Sequence, residues 1–291
     1  MISVVGSINM DMVVLAERIP IKGETVEGQN VKYLDGGKGA NQAVAISRLN
    51  KEVFMFGKVG DDAYGKKLIE NLSKNKINVD NIKIENNTSS GLALITIGDN
   101  DNTIVVVKGA NDKVDIEYID SIKEELFKSE MVIMQHEIPV STNEYIVKIC
   151  KEKNIKTLLN PAPAKKISKY IIDNVDFITP NEHEMKLIFD SDDMDGLLKT
   201  YREKLIITLG SNGAAFCDKN GNIIKIPCRK SNVIDTTGAG DTFNGAFAYA
   251  ISENYDIEKA LKFANIAAGL STEKLGAQTG MPTIEEVKKE L

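Results

Sequence analysis

The residues able to do chemistry gather in two glycine-rich stretches and a set of polar turns. The first stretch, Thr236-Thr-Gly-Ala-Gly-Asp241, leads into a small apolar segment with helical spacing (Phe243, Ala246, Phe247, Ala250). Glycines let the backbone turn tightly, and the first amides of the helix then point into the turn unpaired, forming a site for an anion. Such a site with a carboxylate at its mouth suits transfer of a phosphoryl group to a hydroxyl. The amides of Gly238, Ala239 and Gly240 supply electrostatic support, and Asp241 supplies a base. At a helix N-terminus Asp241 is expected to be ionised. A carboxylate that only caps the helix leaves the two preceding glycines unexplained.

Other chemistries fit less well. Asp35-Gly-Gly-Lys-Gly-Ala-Asn41 also opens a helical pattern, but no Ser or Thr follows its lysine, so it is not a P-loop. Gly60-Asp-Asp-Ala-Tyr-Gly-Lys-Lys67 has the P-loop glycine spacing, yet Lys67 replaces the hydroxyl and two acids sit where phosphates need amides. It reads as the start of an exposed helix. A dinucleotide fingerprint needs a small third residue where Phe243 and Gln42 stand. The two histidines, His136 and His183, lack zinc spacing and read as surface or supporting residues. No G-x-S-x-G elbow occurs.

The elements that must position these residues follow a regular alternation. Ile2–Val5 is an apolar strand ending at Gly6, and Asn9 and Asp11 lie just past its carboxyl end, where ligands of open α/β sheets bind. From residue 115 onward, helical patterns alternate with strands at Met131–Gln135, Lys156–Leu159, Phe177–Ile178 and Leu205–Leu209. This rhythm predicts a mainly parallel sheet sandwiched between helices. Polar residues follow these strands at Gln135-His-Glu137, Asn160-Pro-Ala-Pro163, Pro180-Asn-Glu-His-Glu184 and Thr208-Leu-Gly-Ser-Asn-Gly213, which describes a cleft along one edge. Ala214–Asp218 and Asn222–Ile226 read as a hairpin near one sheet edge, and helices are expected over 256–275 and 283–290. Val233-Ile234 reads as the end of a strand, and Asp99-Asn-Asp-Asn102 as a hairpin turn. Extended pieces within about 12–35 and 90–108 are expected to form a small, discontinuous β-sheet lid on a single α/β domain spanning 1–291.

Composition excludes several classes. At 42% apolar and 27% charged residues the chain has the makeup of a soluble globular protein. A net charge of −6 argues against nucleic acid as a partner. No apolar run reaches the length of a membrane span. The opening Met1-Ile-Ser-Val-Val-Gly6 lacks a basic stretch before a long apolar run, so a cytoplasmic location is expected. Three scattered cysteines without a CxxC pair are expected to be reduced.

Taken together, Asn9-Met-Asp11, Asp35-Gly-Gly-Lys-Gly-Ala-Asn41, Pro180-Asn-Glu-His-Glu184 and Asp235-Thr-Thr-Gly-Ala-Gly-Asp241 closely resemble the motifs of the ribokinase family of sugar kinases, in order and in approximate spacing. The resemblance covers essentially the whole chain. It implies a Rossmann-like three-layer fold, ATP and Mg2+ as cosubstrates, K+ as activator, and a homodimer formed through the β lid. It matches Asp241 to the catalytic base and Gly238, Ala239 and Gly240 to the anion hole. Asn9, Asp11, Gly37, Lys38, Gly39, Asn41, Glu137 and Asp241 match the sugar site. Asn181 and Glu184 match an N-x-x-E element tied to magnesium and phosphates, and Thr208, Gly210, Gly213, Gly240 and Asn265 match nucleotide contacts. Asp235, Thr237, Ser271, Lys274, Gly276 and Gly280 match a potassium site, with Gly280 where relatives often carry serine.

The sugar segments narrow the substrate. They hold one basic residue, Lys38, where a sugar phosphate calls for several, and no aromatic ring on which a base could stack. Amides and carboxylates match a neutral polyol. Ribose, phosphorylated at its terminal hydroxyl, is the expected substrate. Met10, between Asn9 and Asp11, favours deoxyribose as the alternative. A catalytically silent sugar or nucleotide sensor has no use for Asp241.

Overall fold

A computed structural model describes residues 1–99 and 101–291. In chain order, β1 (Ile2–Val5), β2 (Asn9–Ala16) and β3 (Gly28–Gly36) lead into α1 (Lys38–Arg48). Then come β4 (Val53–Gly60), α2 (Ala63–Lys74), β5 (Ile82–Glu85), β6 (Gly91–Gly98) and β7 (Asp101–Val107). The alternating part comprises α3 (Ile116–Leu126), β8 (Met131–Gln135), α4 (Val140–Glu152), β9 (Lys156–Asn160), α5 (Lys169–Asn174), β10 (Phe177–Ile178), α6 (Glu182–Phe189) and α7 (Met194–Thr200). It is followed by β11 (Ile206–Thr208), β12 (Ala214–Cys217), β13 (Ile223–Ile226), α8 (Ala239–Ser252), α9 (Ile257–Ser271) and α10 (Ile284–Lys288).

Six strands pair in parallel in the order β10-β9-β8-β1-β4-β5. Successive side chains of a strand point to opposite faces, and here both faces are covered, which is why these strands read as unbroken apolar runs. Met131 and Ile133 pack with Ala43 of α1, Phe247 of α8 and Phe263 of α9. Val132 and Met134 pack on the other side with Ile119 of α3 and Ile146 of α4. The result is a three-layer α/β sandwich. The antiparallel sheet β11-β12-β13 continues its edge through parallel bridges from Ile178 to Leu205 and from Asn181 to Thr208. A separate four-stranded sheet, β3-β2-β6-β7, draws its strands from two distant parts of the chain.

Several local expectations are corrected. Val233-Ile234 is not a strand: both residues are more than 60% exposed, and among the described residues no strand pairs with them, the Ile234 amide donating to the Thr272 carbonyl instead. Asn9 and Asp11 do follow the end of β1, and there they open a second strand, paired on both sides by β3 and β6. The helix expected over 256–275 stops at Ser271, where the Ser271 and Thr272 hydroxyls bond back to the carbonyls of Ala268 and Gly269. Residues 272–282 then form an irregular segment, with Gly276 at φ +87°. Of the turn expected over 99–102, Asn100 lies outside the described residues, and Asp101 and Asn102 belong to β7.

Candidate active site

Asp241 is placed by the start of α8. The helix begins after Gly238, whose φ of +78° and close approach to Ala277, 2.8 Å from where a Cβ would lie, both demand glycine. Thr242 N–H donates to the Gly238 carbonyl at 2.8 Å, and Ala239 N–H to Thr236 O at 3.2 Å. The N–H groups of Gly238, Gly240 and Asp241 find no acceptor among the described residues, while that of Ala239 is taken by Thr236 O. Gly245 lets α8 close on α1, since a Cβ there would lie 2.7 Å from that of Ala45.

That contact brings the Asp241 carboxylate against the start of α1. Asn41 Nδ2 donates to Oδ2 at 2.9 Å and Gln42 Nε2 to Oδ1 at 3.1 Å. Burial pushes the Asp241 pKa up, opposed by the Lys38 ammonium and these two amides. Burial is the largest of these influences, so the Asp241 carboxyl lies above its ordinary value.

The residues expected at a sugar site converge beside it. Asn9 and Asp11 share one face of β2, and Met10, on the other face, is fully buried in the core. Met10 therefore lends no support to deoxyribose. Asn9 Oδ1 accepts from Asn111 Nδ2 at 2.6 Å, and Asn111 Oδ1 accepts the Ile8 amide at 2.9 Å. Gly39 lies backbone to backbone on Gly6, with a Cβ at 39 only 2.7 Å from the Gly6 carbonyl carbon. Gly37, at φ +89°, turns the chain so that the Lys38 amide donates to Glu137 Oε2 at 3.0 Å; the same oxygen accepts the Ser7 hydroxyl. The Asp11 carboxyl is pushed up to about 7 by burial and by the charges of Glu137, Asp241 and Asp35. Lys38 is raised by Asp241 first, then Glu137, Glu184 and Asp11, so one ammonium faces four carboxylates.

A cavity of about 260 Å³ opens from this cluster, lined by Lys38, Asn181, Glu184, Thr208, Gly240 and Asp241 among others. Asn181 and Glu184 form a capping box on α6: Asn181 Oδ1 accepts from Glu184 N–H at 2.8 Å, and Glu184 Oε2 from Asn181 N–H at 2.9 Å. Gly213 is required by packing, a Cβ there meeting Ile226 O at 2.0 Å; Gly210 has φ +56° with open space around it. Asn265 is not brought to this cavity. Its amide ties α9 to the carbonyls of Ile226 and Pro227, which line a second cavity with Cys228, Lys262 and Ile266.

Behind the anion hole, the two Asp235 oxygens accept the amides of Thr237 (2.9 Å) and Gly276 (2.8 Å). The carbonyl oxygens of Ser271 and Gly276 converge on Gly280, 2.4 and 3.2 Å from where its Cβ would be. A serine at 280 has no room until the Ser271 carbonyl moves. The Lys274 side chain turns outward to Glu286.

Some participants escaped the sequence. Gln42 directly follows the second glycine stretch, and Asn160 is one of the polar strand exits. Asn111 and Gln278, which donates to Asn41 Oδ1 at 3.0 Å, carry no local signal. His136 is fully buried with both ring nitrogens unpartnered among the described residues, and burial lowers its pKa to about 4; of the surface or supporting place expected for it, the surface one is excluded. His183 is exposed.

A three-layer α/β sandwich in which free helix amides and a buried carboxylate meet the polar strand exits has the form of a phosphotransferase. The chain belongs to the pfkB family of carbohydrate kinases, whose model matches residues 1–284. It is 48% identical to a ribokinase of Lactococcus lactis over 100% of this chain and 96% of that protein, and 46% identical to one of Bacillus subtilis over 99% and 98%. The solved structure of Arabidopsis thaliana ribokinase complexed with ribose and ATP superposes with a TM-score of 0.92 at 33% identity, covering 99% of this chain and 97% of that one.

Proposed function

We propose that this protein transfers the γ-phosphoryl group of ATP to the terminal hydroxyl of D-ribose, giving ribose 5-phosphate. The observation that carries the reading is the buried Asp241 carboxylate, held by Asn41 and Gln42 beside the free amides of Gly240 and Asp241. Asn9, Asp11, Lys38, Asn41 and Glu137 bind the sugar hydroxyls. Asp241 takes the proton as the acceptor oxygen bonds to phosphorus and the bond to the ADP oxygen breaks, while the amides support the charge on the transferred group. Thr208, Gly210, Gly213 and Asn181 contact the nucleotide, which extends toward the cavity beside Asn265.

The donor set fits the expected ions. Among the described residues no cluster of three His, Cys, Asp or Glu side chains makes a protein-only cage, and Mg2+ is characteristically held by one or two carboxylates together with phosphates and water. Glu184, with one oxygen committed to its cap, would hold it that way and neutralise phosphate charge. Asp235 with Thr237 and the carbonyls of Ser271, Lys274, Gly276 and Gly280 would hold K+, fixing the backbone behind the anion hole. The sheet β3-β2-β6-β7 is the lid. Its edge strand β7 exposes Ile104, Val105, Val106 and Val107, a surface that pairing with a second copy covers. Among the described residues no helix is long and apolar enough to cross a membrane, in keeping with a cytoplasmic kinase.

The test is ADP release measured with ribose, deoxyribose, fructose 6-phosphate and nucleosides as acceptors, and with Asp241→Asn. Ribose is expected to give the highest kcat/KM, and the variant to lose about 10²- to 10⁴-fold in kcat. Sugar binding without ADP release for any acceptor overturns the kinase reading. Sedimentation in solution tests the dimer.

A further inference from the structure

The carboxylate of Asp241 is gripped from behind by two successive residues of α1. Asn41 reaches Oδ2 and Gln42 reaches Oδ1. Neighbouring helical residues point about 100° apart, so the pair approaches the carboxylate from two directions. Asn41 is assigned to the sugar, but Gln42 is fully buried and does not line the cavity.

Every polar group of the Gln42 amide is used. Its Nε2 donates to Asp241 Oδ1 and, at 3.2 Å, to Asn160 Oδ1; its Oε1 accepts from Gln135 Nε2 at 2.8 Å. Gln135 has room for this because residue 6 is glycine: a Cβ there would lie 2.0 Å from Gln135 Oε1. Asp241 Oδ1 and Asn160 Oδ1, the latter oriented by Asn160 Nδ2 donating to Thr179 O, decide that the Gln42 amino group faces the carboxylate, and Gln135 Nε2 satisfies the carbonyl end. Reversed, Gln42 would set its carbonyl oxygen against the Asp241 oxygen and its amino group against that of Gln135.

We propose that Gln42 is a positioning residue for the catalytic base, fixing the plane of the Asp241 carboxylate together with Asn41, and that Gln135 supports it by satisfying the Gln42 carbonyl. The proposal rests on Asp241 being the base. A hydrogen bond donated to an ion stabilises the charged form, so Gln42 also counters the burial that raises Asp241.

The experiment is the pH profile of kcat/KM for ribose, with full-length wild type, Gln42→Leu, Gln135→Leu and Asp241→Asn. In Gln42→Leu the acidic limb is expected to move up by about one to two pH units, the equivalent of one hydrogen bond to an ion. Activity on the acidic side of the wild-type limb then falls about 10- to 100-fold and recovers on the alkaline side of the shifted limb, with the sugar KM within about threefold of wild type. Gln135→Leu is expected to shift the limb the same way by less, and it carries the test if Gln42→Leu does not fold. A loss uniform across pH with the limb unmoved, or an unchanged profile, overturns the proposal while Asp241→Asn stays inactive. An active Asp241→Asn overturns the base itself.

Discussion

The carboxylate of Asp11 occupies the space that a side chain on Gly36 would need: a Cβ built there lies 2.3 Å from Oδ2 and 2.6 Å from Cγ. The two residues sit on adjacent strands, and Gly36 has no backbone need for glycine, since its φ is not positive. Gly36→Ala is therefore expected to displace the Asp11 carboxylate and raise the sugar KM by about tenfold or more, the loss of one or two charge-assisted hydrogen bonds, with a smaller change in kcat. Steady-state kinetics with the sugar varied checks this, and an unchanged KM removes Asp11 from the sugar site.

Gly238 and Gly240 separate folding from chemistry. Gly238→Ala meets Ala277 and a positive φ, so its Tm should fall by several degrees, a cost of about 1–3 kcal/mol. At Gly240 a Cβ meets nothing within 4 Å, and alanine suits a helix better than glycine. Gly240→Ala is expected to match or exceed the wild-type Tm yet lose at least tenfold in kcat/KM for ATP, because its methyl group enters the cavity that takes the phosphates. Thermal melts and nucleotide kinetics on both variants decide it.

The capping box allows a similar separation at the proposed magnesium contact. Asn181→Ala removes a cap worth about 1 kcal/mol and should lower the Tm. Glu184→Gln keeps the capping geometry, which glutamine satisfies as well as glutamate, but removes the charge. Its Tm should stay close to wild type while the Mg2+ concentration for half-maximal rate rises severalfold. A magnesium titration showing no change assigns Glu184 to capping alone.

Asp11 also predicts a pH dependence of stability. Its carboxyl is raised to about 7 from 3.8, so between those values the folded chain holds a proton that the unfolded chain releases. The stability this provides is present at low pH and is lost as pH rises toward 7. The Tm of the unliganded wild type minus that of Asp11→Asn should fall between about pH 5 and about pH 7 and level off above pH 8. A difference that is flat or rises with pH contradicts the raised carboxyl.

What was legible in the chain was what is local. Parallel strands buried on both faces announce themselves as apolar runs, and a glycine turn before a small-residue helix announces an anion site, so the three layers and Asp241 could be read directly. Contacts between distant segments could not. Gln278 reaches Asn41 and Asn111 reaches Asn9 across most of the sheet's connectivity, with nothing in their neighbours to mark them. Met10 misled for a related reason: adjacent in sequence to two sugar-site residues, it points to the opposite face of the same strand. Val233-Ile234 misled because β-branched residues favour strands only where another strand is there to pair with.

Strand β2 carries Asn9 and Asp11 at one end and Leu15 and Ala16, in the four-stranded sheet, at the other. A tilt of this sheet about the proposed sugar site would make the strand a lever. At about 3.3 Å per residue the arm from Asn9 to Ala16 is roughly 23 Å, so a tilt of about 10° sweeps the far end through about 4 Å and moves Asp11 by only about 1 Å. Such a closure would be large at the rim and nearly silent at Asn9 and Asp11, and a probe attached near Ala16 would report it with about fourfold mechanical gain over one placed at Asp11.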